Sequence, residues 1–131
     1  RLPPLAYYRS FGWQAWQNHI TGLMVWNYND TADGRCWSDL KGGDYTMIYE
    51  LKYAPEHLHA DPRENLIPAR RWFAWRTSMQ DFMLLEMATT KFGRSRIFPI
   101  AAQVMRNTSS LKTYEEARLQ LIRLLEMENA K

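Results

Sequence analysis

The reading of the fold turns on residues 5–28, LAYYRSFGWQAWQNHITGLMVWNY, where two periodicities meet. Across residues 5–19, Tyr8, Phe11, Ala15, Trp16 and His19 recur at offsets of three and four, the stripe of an amphipathic helix. Pro3 and Pro4 stand where a helix can begin. Thr21 and Gly22 then break the pattern, and the short run LMVWNY at 23–28 has the length and the Val, Trp and Tyr content of a buried strand.

Working outward, residues 29–44, NDTADGRCWSDLKGGD, form a long Asn, Asp and Gly-rich loop, and YTMIYE at 45–50 is a second expected strand. As the next strand in a series of βα units it is expected to lie parallel to 23–28 as a neighbour, with 29–44 crossing over as a long irregular loop. A second long loop, about 51–67, holds Pro55 and Pro62. Pro68 opens the longest predicted helix, about 68–91, with Trp72, Trp75, Met79, Phe82 and Met83 on its buried face and Gly93 as its stop. Pro99 either opens a short helix within 96–107 or interrupts one. Thr113 and Glu116 have capping-box spacing ahead of Ala117, Leu121, Leu124 and Leu125, which predicts a last helix.

Helix, strand, long loop, strand, long loop, helix is the order of successive βα units, and two strands alone do not make a stable parallel sheet. The expected fold class is therefore α/β: a C-terminal fragment of a (β/α)8 barrel over residues 1–92, followed by one or two extra helices over 93–131. A closed barrel of this type takes about 250 residues, and this chain has 131. Arg1 in place of Met fits a start inside a longer polypeptide.

The bulk properties exclude several classes. Hydrophobic residues are 46% of the chain and aromatics 14%, so a packed core is expected rather than disorder. The net charge is +3, with eleven Lys/Arg against six Asp/Glu in residues 68–131, but there acids and bases share predicted helix faces. That is the pattern of a solvated face, so no nucleic-acid partner is expected. No stretch approaches the roughly 20 apolar residues of a membrane span, and no membrane association is expected. One cysteine, Cys36, excludes an intrachain disulfide and a cysteine-cluster zinc site.

Three stretches carry a resemblance to a family. Residues 7–30, YYRSFGWQAWQNHITGLMVWNYND, combine an Arg-containing aromatic helix with the run Gly22 to Asn29; Gly43-Asp44 precedes a strand ending at Tyr49; and IPARRWFAWRTSMQDFMLLEMA at 67–88 sets Arg70 or Arg71 ahead of Gln80, Asp81 and Phe82. In that order they resemble the C-terminal part of the glycoside hydrolase family 123 catalytic domain. Glu50-Leu51 replaces the usual Pro-Gly, and Thr77-Ser78-Met79 stands where Gly-Ile is common. The resemblance implies substrate-assisted hydrolysis of a β-linked N-acetylgalactosamine, aided by an Asp-Glu pair. No Asp-Glu dipeptide occurs in this sequence.

The chain is accordingly expected to contribute strands and sugar-contacting loops to a glycoside-hydrolase-like protein and to be inactive by itself, with carbohydrate and the rest of a parent polypeptide as partners. Trp26, Tyr28, Trp37 and Tyr49 are the candidate sugar-contacting residues, because aromatic rings offer a flat apolar face beside a polar handle. Asp30, Asp33, Asp39, Asp44 and Glu50 lie in the right segments for glycosidase carboxylates, yet acids are also common turn residues, and no catalytic residue is assigned. Glu56, His57, His59 and Asp61 have the residue types of a metal site without its helical spacing, and neither a metal nor a cofactor is expected. The alternative function is a stand-alone helical protein-interaction module.

Overall fold

A computed structural model of the chain describes residues 4–24, 47–50 and 66–129. Their elements in chain order are α1 (Pro4–Gln17), β1 (Ile48–Glu50), β2 (Leu66–Pro68), α2 (Arg70–Phe92), α3 (Arg94–Arg106) and α4 (Leu111–Asn129). The α/β barrel expectation is overturned: the described residues hold four helices and one two-stranded pair. β1 falls inside the stretch expected as a strand, but its partner is β2. The two run antiparallel, with Ile48 opposite Pro68, Tyr49 opposite Ile67 and Glu50 opposite Leu66. Antiparallel pairing needs no crossover helix and no covered faces, so three residues a side suffice where a parallel pair would not.

The other expected strand is not formed where it is described. Leu23 and Met24 have no regular structure, and 25–28 lie outside the described residues. Pro68, expected to open the long helix, is instead the last residue of β2, and Ala69 N–H then donates to Met47 O at 2.8 Å. Proline tolerates such a place because a strand end can spare its missing donor.

The chain divides into two compact units, residues 24–73 and residues 1–23 with 74–131. The described part of the first holds the β1–β2 pair and the opening turn of α2, with Met47 and Ala69 buried. The second is helical. Its core joins Trp13 and Trp16 of α1, Leu85 and Ala88 of α2, Ile97, Ile100, Ala101 and Val104 of α3, and Tyr114, Ala117 and Leu121 of α4. The 3.6-residue repeat is legible on α3 and α4, where buried positions recur every three or four residues.

Chain punctuation fixes where these helices stop. Gly93 has φ 81 and ψ 147, a region that only glycine occupies without strain, and its N–H donates to Thr89 O at 2.8 Å. One residue thus ends α2 and starts α3 in a new direction. α3 runs through Pro99 rather than opening or breaking there; the carbonyl that loses its donor belongs to Ser95, which is exposed. α4 starts three residues before the expected capping box. Ser110 caps it, its Oγ accepting from Thr113 N–H at 3.4 Å, so Thr113 lies inside the first turn.

Candidate functional site

Two constellations of polar groups lie within the helical unit, one buried and one open. The first is built where α1 crosses α2. Gly12 N–H donates to Ser78 Oγ at 2.6 Å. A Cβ on Gly12 would stand 2.1 Å from Ser78 O, so no other residue allows the approach. From the same face of α1, Arg9 and Trp13 reach Asp81, and Trp16 Nε1 donates to Thr89 Oγ1 at 3.1 Å. The buried face of α2 is consequently Ser78, Asp81, Leu85 and Ala88. This corrects the expected face: Met83 is 63% exposed, and Trp72, Trp75, Met79 and Phe82 are only half-buried. The close approach at Gly12 selects small residues of α2, not its largest.

Asp81, fully buried, is the centre of this first constellation. Its Oδ2 accepts from Arg9 Nε and from Trp13 Nε1, each at 2.8 Å. Its Oδ1 accepts from Arg118 Nη1 on α4 at 2.5 Å. Arg9 Nη1 also pairs with Glu115 at 2.9 Å, and Arg118 Nη2 reaches Gln80 Oε1 at 3.4 Å. One carboxylate therefore ties three helices. Burial pushes the Asp81 carboxyl above its ordinary value of 3.8, against the opposing pull of Arg9, the Trp13 hydrogen bond and Arg118. Beside it, burial also raises the Tyr114 phenol to about 12; that hydroxyl donates to Thr108 O at 2.9 Å. A carboxylate with every oxygen engaged and no solvent access is placed to hold helices together and cannot reach a substrate.

The second constellation lies at the end of α1. There Ile20 N–H donates to Ala15 O at 2.9 Å and His19 N–H to Trp16 O at 3.3 Å, the paired bonds of a Schellman terminus. The residue that must take the left-handed conformation is His19, at φ 58, where glycine is usual. Arg94, from the first turn of α3, donates through Nη2 to Trp16 O at 2.6 Å and to Gln17 O at 3.1 Å. Its guanidinium lies 3.9 Å from the centre of the Trp16 ring, a stacked cation–π contact. Between this terminus and α2 opens a cleft of about 330 Å³, with Ile20 and Phe82 as apolar lining and His19, Glu86, Thr89 and Arg94 as polar lining.

Neither constellation contains the residues expected from the sequence to touch sugar. Trp26, Tyr28 and Trp37 lie outside the described residues. Tyr49 is the middle residue of β1, opposite Ile67, and its side chain is outside what is described. Asp30, Asp33, Asp39 and Asp44 and the Glu56, His57, His59 and Asp61 cluster also lie outside, and Glu50 is described only as backbone in β1. Among the described residues no group of three or more His, Cys, Asp or Glu could hold a metal ion. No described helix is long and apolar enough to cross a membrane.

Sequence reading missed both constellations. Arg9 and Asp81 are 72 residues apart, and pattern reading treats each helix alone. Neither lies on the stripe expected for its helix: Arg9 shares a buried face with Trp13 and Trp16, and Asp81 shares one with Leu85 and Ala88, where charged residues are rarely found without a partner. Comparison with protein families, with curated proteins and with solved structures finds no match to this chain.

Proposed function

We propose that the chain is a non-catalytic helical part of a glycoside-hydrolase-like protein, with carbohydrate contact carried by Trp26, Tyr28, Trp37 and Tyr49. One observation supports this reading above the others. The buried ionic node unites the two longer stretches that carry the family resemblance, since Arg9 and Trp13 come from the first and Asp81 from the third. Stretches that resemble one family at separate places in a sequence are thus physical partners. The same node supports the absence of chemistry in the helical unit, because its buried carboxylate is consumed by two guanidinium groups and an indole.

The test is hydrolysis of a nitrophenyl β-N-acetylgalactosaminide by the purified chain. None is expected. Release of nitrophenol that disappears on substituting a carboxylate of this chain overturns the reading. Tyr28→Ala tests the sugar contact: loss of stacking and of one hydrogen bond is expected to weaken N-acetylgalactosamine binding by about 1–3 kcal/mol.

A second reading, a helical protein-interaction module, is favoured by one feature. Met83 and Met87, a turn apart on α2, are 63% and 56% exposed. Flexible thioether side chains suit an adaptable contact surface. Sedimentation of the chain with and without Met83→Lys and Met87→Lys separates the readings: a change of association state on substitution supports the second, and a monomer throughout supports the first.

A further inference from the structure

The cleft at the end of α1 has an electrostatic arrangement that the fold does not use. Glu86 and Arg94 line the same cavity with opposite charges, yet no ion pair or hydrogen bond joins them. By contrast, Arg9 and Arg118 are bonded to the carboxylates of Asp81 and Glu115 at 2.5–2.9 Å. Arg94 is fixed in place, because its Nη2 holds the last carbonyls of α1 and its plane lies on Trp16. Glu86 is exposed and its carboxylate has no partner among the described residues.

The remaining polar groups point the same way. Thr89 Oγ1 already accepts the Trp16 indole proton, so its own hydroxyl proton is free to be donated. His19 adds an exposed imidazole without a partner among the described residues, and it does so from a left-handed backbone that helix termination alone would assign to glycine. The apolar lining is Phe82 and Ile20, the latter 46% exposed. A volume of about 330 Å³ stands at the small end of ligand pockets, which run from about 300 to 1,000 Å³.

The geometry points to a binding site for a small zwitterion with an apolar substituent, that is, a free α-amino acid of the leucine type. Its ammonium is recognised by the Glu86 carboxylate, its carboxylate by the Arg94 charge with donors from Thr89 and His19, and its side chain by Phe82 and Ile20. A neutral polyol would leave both charges of the cleft without a counter-charge. A simple anion would leave Glu86 opposed to it. This site is separate from the carbohydrate contact proposed above and does not rest on it.

The experiment is a titration of the purified chain, followed by nuclear magnetic resonance, with L-leucine, glycine, N-acetyl-L-leucine, L-leucinamide and N-acetylgalactosamine. Saturable shifts at Thr21, Glu86 and Thr89 are expected with L-leucine. Binding at least tenfold weaker is expected with glycine, which lacks the apolar group, and with the two blocked leucines, which each lack one charge. Glu86→Gln, at an exposed and unbonded position, should keep the thermal midpoint of the parent and bind L-leucine at least tenfold more weakly. Absence of saturable leucine binding overturns the proposal. So does equal binding of the blocked leucines, unchanged leucine binding by Glu86→Gln, or saturation of these resonances by N-acetylgalactosamine alone.

Discussion

Arg9 and Arg94 belong to the same helical unit and are set in opposite circumstances. Arg9 is buried, its Nε and Nη1 bonded to the carboxylates of Asp81 and Glu115, and its Nη2 has no partner among the described residues. Arg94 holds main-chain carbonyls with one nitrogen and shares a cleft with a carboxylate to which it is not bonded. The first arrangement satisfies charge internally, and its cost of desolvation is offset only while every member is present. In the second, the charges stay hydrated and available. The contrast separates charges that determine the packing of this unit from charges that the packing leaves free.

The largest expected effect breaks the buried side of that comparison. Asp81→Ala leaves Arg9, Trp13 and Arg118 without their shared acceptor, and removing one partner of a buried pair costs about 3–5 kcal/mol. Urea unfolding measures it. Asp81→Asn keeps the shape and one acceptor oxygen, so its cost should be clearly smaller. Because burial raises the Asp81 pKa above 3.8, the proton binds more tightly to the folded chain. The stability this proton contributes is complete below 3.8 and is lost as pH rises through the folded value. The advantage of the parent over Asp81→Asn should therefore be larger in acid than at neutral pH. An advantage that shrinks on acidification would show instead that the paired charge dominates.

Next is the crossing that brings the node together. Gly12→Ala places a methyl carbon 2.1 Å from Ser78 O, backbone that cannot move aside like a side chain. Overpacking of this kind costs about 1–3 kcal/mol, occasionally more. It should also pull Arg9 and Trp13 away from Asp81, visible as a change in indole fluorescence. A Gly12→Ala chain with the stability and fluorescence of the parent would contradict the close approach.

A third test uses Tyr114, fully buried beside the node. Its phenol is raised from 10.0 to about 12, so the folded chain keeps a proton that the unfolded chain loses first. Its contribution is present below pH 10 and lost between pH 10 and 12, at most about 2–3 kcal/mol. Tyr114→Phe should flatten that part of the pH profile of unfolding. It should also lose roughly 1 kcal/mol at neutral pH with the bond to Thr108. An unchanged alkaline slope would place the phenol in water.

These residues also show what a sequence makes legible. α1 and α2 were expected within a residue or two of their bounds, because a helix announces itself through near neighbours three and four positions apart. The face of α2 was misassigned, since hydrophobicity favours Met83 whereas the Gly12 contact favours Ser78 and Asp81, and no local signal encodes a contact 66 residues away. The strand at 48–50 was anticipated, but not its partner at 66–68. Leu66–Pro68 is too short to carry a period and ends in a residue that suits a helix start equally well. The barrel expectation followed from the βα order and the family resemblance, and four helices with a single antiparallel strand pair among the described residues overturn it. Of the candidate sites, Asp81 and Phe82 were visible as parts of a motif, while the cleft at His19 was not, because it depends on where α3 returns Arg94 to the end of α1.

The smallest expected effect is on the open side of the comparison and has the opposite sign. His19 holds φ 58 to let Ile20 and His19 N–H close the α1 terminus. A side chain in that conformation costs roughly 1–2 kcal/mol relative to ordinary helical backbone, a cost glycine largely escapes. Glycine gives part of it back through its greater freedom in the unfolded chain. The imidazole is exposed, with no bond among the described residues to set against this. His19→Gly is therefore expected to stabilise the unit by about 0.5–1 kcal/mol, read as a higher urea midpoint with an unchanged slope. A loss of stability would mean that the ring is held by contacts that stabilise the fold and that the left-handed residue belongs with the buried node, not with the charges the fold leaves free.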